Sequence, residues 1–385
     1  PQAVDSPAAA AERSRGVLES VPLGAWLPTM RLEQDGAASE MPLAPCSAVR
    51  RTRISTGTGM LGVLTFDLDR GVEPVDRDAV LTDATTVYGT GRHLYVGTPR
   101  PLGSTAGGLP TGAEATQIHR FDTSQPDATA YEGSGAVPGT LLSQWAMSEH
   151  EGVLRVASTL SPTGPMGEGS ESLVTTMRWD GERLARAGQV RGLGPGERIR
   201  SVRFMGDQGY VVTFRQTDPL YVVDLSDPAR PAVRGALHMP GYSAYLHPVG
   251  DGLLLGVGQD GTDAGTLLGS KASLFDVSDP AAPRLLSQVR LGEWSTVDQD
   301  HHAFLWWGPS GLALVPAQEA GAARLMGLRV AGRTLRVAGA ITHQAPARPI
   351  LRAVVSDGRL YSVSEDGVGV STLDTLRTTG WTSFG

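Results

Sequence analysis

The residue types best suited to chemistry lie in one short run, VDQDHHAFLWW, which contains Asp298, Asp300, His301 and His302. If a strand begins near His302, alternating carboxylates and imidazoles could place two or three ligands on one side for a divalent cation. The structural alternative is that one His and one Asp hydrogen-bond neighbouring backbone while the others are solvated. We favour this alternative, because no distant third ligand can be identified in the sequence.

Two further histidines are candidates to join the run from a neighbouring element. His247 stands in YLHPVGD and His238 in ALHMPG. A lone His near Pro is more often a turn residue than a ligand, and we favour that interpretation for both. The chain also lacks a G-x-S-x-G nucleophile elbow, a Walker loop and a dinucleotide-binding pattern. We therefore predict a protein that is not an enzyme and that binds no cofactor.

Composition excludes several classes of protein. The 385 residues carry a net charge of −7, so the chain lacks the excess of basic residues that is typical of nucleic-acid-binding proteins. No apolar run approaches the length of a membrane span. Cys46 is the single cysteine, which excludes an intrachain disulfide and a Cys-based metal site. The chain begins at Pro1 without a Met, and we expect a removed secretion signal and an extracellular, monomeric protein.

An internal repeat organises the rest of the chain. YVVDLSDPARPAVRGAL from Tyr221 and LFDVSDPAAPRLLSQV from Leu274 each predict a strand, an Asp-Pro turn and a second strand. Successive repeats begin roughly 43 to 57 residues apart, which is the range of propeller blades. Weaker copies bring the number to seven, at Gly62–Asp69, Gln117–Asp122, Leu173–Asp180, Arg324–Val330 and Gly367–Asp374.

Hairpins precede most of these strands. The sequence turns at Gly206-Asp207 and at Asp357-Gly358 between alternating apolar runs, a strong hairpin signal. Similar hairpins are predicted over Thr86–Thr98 and Leu246–Gly258. A hairpin, a strand, an Asp turn and a final strand make a four-stranded blade. We therefore predict an all-β fold, a seven-bladed β-propeller of four-stranded antiparallel blades.

The first fifty residues do not follow the repeat. Residues Pro7–Val21 have the alanine content and spacing of one helix, and a Pro-rich stretch follows. We predict that residues 1–50 form a helix and strap packed on the ring, and that residues 51–385 form the propeller. The repeat near Gly62 lacks an inner hairpin. Its missing strands must come from the N-terminal segment, from the tail Thr378–Phe384, or from nowhere.

Several long phrases resemble the secreted bacterial β-propeller-domain proteins. They are GPGERIRSVRFMGDQGYVVTFRQTDPLYVVDLSDPARP, MPGYSAYLHPVGDGLLLGVGQD, and SKASLFDVSDPAAPRLL with DQDHHAF. The resemblance covers roughly Cys46 to Ser364. It departs at the N-terminus, where family members usually carry a further acidic segment before the helix.

The resemblance implies a binding protein with two secreted partners. Among actinobacterial members, it points to promotion of self-digestion of a thermolysin-like neutral metalloprotease. It also points to a role as glutamine donor of a secreted transglutaminase. Gln299 and Gln344 lie in loop-like sequence and Gln144 lies near a turn, so these are the candidate reactive glutamines. Lys271 is the only lysine, which disfavours self-crosslinking.

The sequence also allows one alternative function. It is an enzyme or ligand-binding protein with a divalent-metal site at the mouth of the propeller channel, built on the run from Asp298 to His302. Fold alone does not choose between the two, because propellers host many functions.

Overall fold

The computed structural model describes residues 6–34, 36–52, 56–100, 114–161, 169–215, 217–343 and 348–384. Its α-helix, α1 (Pro7–Ser20), agrees with the helix predicted there. The hydroxyl of Ser6 accepts a hydrogen bond from the Ala9 N–H, and Pro7 occupies the first turn, where its missing N–H costs nothing. Short 3-10 turns lie at Leu23–Ala25, Cys46–Ala48, Gln144–Ala146, Thr296–Asp298, His301–Ala303 and Gly308–Ser310.

The described chain divides into two compact units, residues 1–112 with 117–134, and residues 113–116 with 135–385. The first unit holds α1, a two-stranded hairpin, a three-stranded sheet in the order β3-β5-β4, and most of a four-stranded sheet in the order β6 to β9. Their strands are β1 (Thr29–Gln34), β2 (Ala37–Pro42), β3 (Val49–Arg51), β4 (Met60–Phe66), β5 (Pro74–Leu81), β6 (Thr86–Gly89), β7 (His93–Arg100), β8 (Ala115–Gln125) and β9 (Ala128–Pro138).

The second unit holds five further sheets, four of which consist of four consecutive antiparallel strands. In the remaining sheet β22 and β23 both pair with β24. The strands are β10 (Met147–His150), β11 (Val153–Leu160), β12 (Glu171–Trp179), β13 (Leu184–Leu193), β14 (Arg198–Met205), β15 (Gln208–Phe214), β16 (Thr217–Asp224), β17 (Ala232–Pro240), β18 (Tyr242–Gly250), β19 (Leu253–Gly261), β20 (Leu267–Asp276), β21 (Arg284–Gly292), β22 (Trp294–Ser295), β23 (Leu305–Trp307), β24 (Leu312–Glu319), β25 (Ala322–Ala331), β26 (Thr334–Ile341), β27 (Ile350–Ser356), β28 (Arg359–Ser364), β29 (Gly367–Thr372) and β30 (Thr378–Ser383).

The sheets confirm the predicted all-β architecture of four-stranded antiparallel units, and the four predicted hairpins are present. Asp357 and Gly358 both have positive φ, +47° and +70°, as a tight hairpin turn requires. The incomplete repeat near Gly62 takes a strand from the N-terminal segment, since β3 pairs in parallel with β5. The C-terminal strand β30 pairs instead with β29 of its own sheet.

Neighbouring sheets of the second unit pack through the Asp-Pro turns. A Cβ at Gly188 of β13 would lie 2.4 Å from the carbonyl oxygen of Pro228 in the next sheet. The same arrangement recurs one sheet later, where a Cβ at Gly235 of β17 would lie 2.5 Å from the carbonyl oxygen of Pro280. The glycines therefore let each turn reach the last strand of the preceding sheet.

An aspartate at the end of the third strand holds each turn. The carboxylate of Asp276 accepts hydrogen bonds from the N–H and hydroxyl of Ser278, at 3.1 and 2.6 Å. It also accepts one from Arg284 at 2.6 Å and one from Arg333 of the next sheet. The Ser278 hydroxyl is the main cause that holds the pKa of Asp276 well below its ordinary value. We call these four residues the Asp276 cluster.

Asp224 makes a simpler version of this cluster. Its carboxylate accepts from the N–H and hydroxyl of Ser226 at 2.9 and 2.7 Å, and from Arg234 at 2.8 Å. Hydrogen bonds from Ser226 are the largest cause that lowers the pKa of Asp224 to about 2. Both repeats thus support the Asp-Pro turn with a carboxylate at the end of the third strand. The aspartates of the two Asp-Pro pairs, Asp227 and Asp279, bond the turn backbone as predicted, accepting from the N–H of Ala229 and of Ala281 at 3.0 Å.

Candidate functional site

The acidic and histidine-rich run lies between β22 and β23 as two consecutive 3-10 turns. Asp298 ends the first turn, Gln299 follows it, and Asp300 caps the second with its carboxylate. The Asp300 side chain accepts from the His302 N–H at 3.0 Å, as the N-cap of a turn does. This capping explains locally why Asp300 directly precedes the two histidines.

The four predicted ligands do not converge. Asp298 is hydrogen-bonded to Gln259, and Asp300 forms an ion pair with Arg352 at 2.7 Å and contacts the His302 ring at 3.1 Å. The other histidine, His301, contacts Gln144 instead. Within the part of the chain that the structure describes, no group of three or more His, Cys, Asp or Glu side chains could hold a metal ion. The two carboxylates have different partners, and the divalent-metal alternative stays a prediction.

His301 instead enters an aromatic cluster. Its ring stacks on Tyr245 at a centroid distance of 5.9 Å and an angle of 15°, and meets the edge of Trp145 at 5.4 Å. The Nε2 atoms of His301 and Gln144 lie 2.9 Å apart. The Tyr245 hydroxyl lies 3.1 Å from Nδ1 of His247, whose ring packs near Phe304 and Trp306.

The members of this cluster come from the first strand, or the turn before it, of several sheets. Those strands lie beside one another, with contacts between β14 and β18 and between β14 and the turn that holds Trp145. His247, predicted as a possible neighbour of the acidic run, is among them. His238 is not, since it lies exposed on β17, the last strand of its sheet, opposite Pro219.

Arg203 of β14 is the cationic member of the cluster. Its guanidinium lies 4.4 Å from the ring centroid of Trp145, within cation–π distance. Its Nη1 is buried without a hydrogen-bond partner among the described residues, and Nε1 of Trp145 is in the same state. We call Arg203, Trp145, Tyr245, His247 and His301 the inner-strand site.

A second arginine extends the site along β14. The guanidinium of Arg200 lies 5.2 Å from the ring centroid of Tyr242 and 5.7 Å from that of Phe214. Asp298 approaches the same tyrosine closely enough that its negative charge raises the pKa of Tyr242, after the larger effect of burial. The carboxylate oxygen Oδ1 of Asp298 is buried and unpartnered among the residues with described positions.

Burial sets the charge state of the site. It lowers the pKa of His247 to about 4, with a further contribution from the charge of Arg203. Burial is also the largest cause that lowers the pKa of His301. It raises the pKa of Asp298, and it lowers the pKa of Arg203. Near pH 7 the two imidazoles are therefore neutral, and the guanidinium carries the positive charge at the centre of the site.

The three candidate glutamines have different surroundings. Gln299 is exposed between the two 3-10 turns. Gln144 is half-buried, with its amide against His301. Gln344 lies outside the described residues.

Sequence reasoning missed Arg203, Trp145 and Tyr245. One signal was available: Arg203 interrupts an apolar strand, SVRFM, directly after the buried Val202. A concavity of about 640 Å³ elsewhere in the unit is lined by Gly358, Arg359, Ser371, Thr372, Leu373, Asp374 and Thr379. That lining contains no aromatic, His or Cys side chain, so the inner-strand site is the better candidate.

Comparison with known families agrees with this architecture. The chain matches the family model of the beta propeller domain over residues 4–376. The chain belongs to the β-propeller domain family. Within the described residues, no helix has the length and apolar character needed to cross a membrane.

Two archaeal proteins of uncharacterised function are similar to parts of this propeller chain. A protein of Methanocaldococcus jannaschii is 43% identical over 185 residues, and one of Archaeoglobus fulgidus is 40% identical over 216 residues. The matches cover 48% and 54% of this chain, but only 28% and 30% of the relatives. The chain thus covers less than a third of the length of either relative.

Two solved structures that are similar to the chain are described as lactonases. The periplasmic gluconolactonase of Pseudomonas aeruginosa aligns with 82% of this chain and 89% of its own, at 15% identity and a TM-score of 0.47. A candidate 6-phosphogluconolactonase of Bacteroides fragilis aligns with 80% and 85%, at 12% identity and 0.48. The prediction that the chain is not an enzyme is contradicted by this comparison. At these identities and scores, neither structure assigns a reaction or substrate to the chain.

Proposed function

We propose that this chain is an extracellular propeller protein that binds a partner protein through the inner-strand site. One observation carries the proposal. The phrases that resemble the secreted bacterial β-propeller proteins also supply most of the site: Arg203 comes from the first phrase, Tyr245 and His247 from the second, and His301 from DQDHHAF. Arg203, whose Nη1 has no hydrogen-bond partner among the described residues, therefore lies within a phrase that carries the resemblance, whereas Trp145 lies outside these phrases.

The partner we propose is a thermolysin-like neutral metalloprotease, whose self-digestion the chain promotes. This follows from the resemblance to the actinobacterial dispase autolysis-inducing protein. The binding energy would favour an open protease conformer that other protease molecules cleave. A binder shifts such an equilibrium only by its difference in affinity for the two conformers.

We also infer that the propeller has seven blades, of which the three-stranded sheet β3-β5-β4 is the incomplete one.

The test is the rate at which a thermolysin-like protease loses activity. We expect faster loss as the chain is added, and a rate that rises with protease concentration because the cleavage is intermolecular. Trp145→Ala should weaken the effect, since it removes the aromatic surface under Arg203. The control variant Trp294→Ala removes an exposed tryptophan on β22, outside the site. An unchanged protease half-life across the whole titration would contradict the proposal.

We further propose that Gln299 is the principal glutamine donor to a transglutaminase. The enzyme needs an accessible side chain, and Gln299 is exposed while the Gln144 amide contacts His301. Lys271 is a poor amine donor: it is 3% exposed, and its ammonium donates to the Pro240 carbonyl at 2.7 Å and to Asp260 at 3.1 Å.

Labelling with a fluorescent primary amine and a bacterial transglutaminase tests this role. Gln299→Asn should remove most of the label, Gln144→Asn little of it, and Gln344→Asn should report the third candidate. Mass spectrometry of the labelled peptides identifies the donor directly. Undiminished labelling of Gln299→Asn would exclude Gln299 as the principal site.

A further inference from the structure

Arg203 is half-buried, and the Nη1 atom of its guanidinium is fully buried. The guanidinium has lost much of its water, which is why its pKa is lowered, yet it makes no hydrogen bond or ion pair to any described residue. Buried charges are ordinarily paired, because desolvating one without a partner is costly. The guanidinium lies over the face of Trp145 and interacts electrostatically with Tyr245, while its Nη1 has no hydrogen-bond partner among the described residues.

Arg155, one sheet earlier, shows the ordinary arrangement. It is 4% exposed, and its guanidinium donates to the Gly206 carbonyl and, at 2.6 Å, to the Ser148 hydroxyl. It also lies over an aromatic ring, that of Phe204, at 5.1 Å. Two arginines stacked on aromatic rings in one unit therefore differ in their polar partners.

A second unsatisfied donor stands beside Arg203. Nε1 of Trp145 is buried without a partner in the described part of the chain, and the guanidinium of Arg203 lies over the Trp145 ring. The surrounding rings of Tyr245 and His301 are uncharged near pH 7, so they supply apolar walls. Two N–H donors, one positive charge and flat walls make a receptor for a small planar anion.

We propose that Arg203 and Trp145 bind a carboxylate carried on a flat or apolar group. A guanidinium presents two parallel N–H groups that match the two oxygens of a carboxylate. The proposal rests on the proposed function for its location, since it names the chemistry that the same site recognises.

Two sources supply this chemistry: a free aromatic carboxylate, or the C-terminal carboxylate of a peptide that ends in an aromatic residue. Isothermal titration calorimetry on the full chain separates them. The probes are benzoate and N-acetyl-phenylalanine, with benzamide and N-acetyl-phenylalanine amide as their neutral counterparts. We expect each carboxylate to bind at least about tenfold more tightly than its amide, because the charge-assisted pair is lost. Tighter binding of N-acetyl-phenylalanine than of benzoate identifies a peptide end as the source.

Variants assign the binding to the residues. Arg203→Met should weaken carboxylate binding about tenfold or more and leave amide binding unchanged. Arg203→Lys should weaken carboxylate binding less, since lysine keeps the positive charge but lacks the two parallel N–H groups of a guanidinium. Arg336→Met, at an exposed arginine of β26, is the control and should bind as the unmodified chain does.

The outcomes separate this inference from the proposed function. Equal binding of carboxylates and amides, or no binding of either carboxylate, overturns the inference, and this comparison needs no variant. Accelerated protease decay that persists in Arg203→Met then leaves the proposed function standing. Carboxylate binding with an unchanged protease half-life keeps the inference and removes the protease proposal.

Discussion

Two polar clusters in the same unit differ in whether their buried hydrogen-bonding groups have partners. In the Asp276 cluster one buried carboxylate receives donors from Ser278, Arg284 and Arg333. In the inner-strand site, Arg203 and Trp145 each keep a buried N–H without a described partner. The first cluster joins two neighbouring sheets and stabilises the fold. The second lowers stability, and we attribute it to a ligand that satisfies these groups when it binds.

The largest effect is expected from breaking the satisfied cluster. Asp276→Ala should lower the free energy of unfolding by about 3 kcal/mol, because two arginines and a serine lose a shared acceptor. Urea denaturation measures this change. Asp224→Ala is the matched control: with one arginine partner instead of two, it should cost about 1–2 kcal/mol. Equal losses in the two variants would show that the second arginine adds nothing.

The next effect comes from the contact between sheets that the Asp276 cluster supports. Gly235→Ala should cost about 1–3 kcal/mol, since the new Cβ would lie 2.5 Å from the Pro280 carbonyl oxygen and the turn must move. Gly188→Ala should behave alike. In the control, Gly89→Ala, the nearest atom lies at 3.9 Å, and urea denaturation should show little change. A neutral result at Gly235 would mean that the turn moves freely.

The inner-strand site should make the free energy of unfolding depend on pH. The pKa of His247 is about 4 when folded, below the value of 6.5 expected when unfolded. As pH falls from 6.5 toward 4, the unfolded chain gains a proton that the folded chain does not, so stability falls. One such group contributes at most about 1.4 kcal/mol per pH unit.

His247→Gln removes this titrating group, so the decline between pH 7 and 4 should become shallower. Tyr245→Phe keeps the imidazole and loses only the hydroxyl contact, so it should keep the original slope. Urea midpoints at several pH values give both slopes. A His247→Gln slope as steep as that of the unmodified chain would contradict the buried, neutral imidazole.

The smallest effect is expected at Arg203 itself. Arg203→Met removes a desolvated charge with no described polar partner and keeps much of the contact with Trp145. The free energy of unfolding should stay the same or rise by up to about 1 kcal/mol. Arg155→Met, which removes donors to Gly206 and Ser148, should instead be destabilising. Thermal melts of the pair measure the contrast, and a loss at Arg203 as large as at Arg155 would count against it.

Local signals made much of the fold predictable. Asp357-Gly358 and Gly206-Asp207 determine their own turns, so the hairpins follow from a few neighbouring residues. The Asp-Pro segments likewise carry their capping aspartates within the same run. The parallel pairing of β3 with β5 has no such local signal, because the strands approach through the packing of the whole sheet.

The site was predictable only in part. The acidic and histidine-rich run was identified, but its role was not, because the partner of His301 is Gln144, 157 residues away in sequence. Arg203 and Trp145 meet across sheets, and no spacing within one segment reports such a contact. Their lack of polar partners is a property of the assembled structure, so residue types alone could not show it.

The most direct test measures ligand binding and stability on the same protein samples. N-acetyl-phenylalanine is titrated into the unmodified chain and into Arg203→Met, and both proteins are then unfolded in urea. We expect the variant to lose carboxylate binding and to keep or gain stability. A variant that binds the carboxylate as well as before, and has lost stability, would show that Arg203 serves the fold and not a ligand.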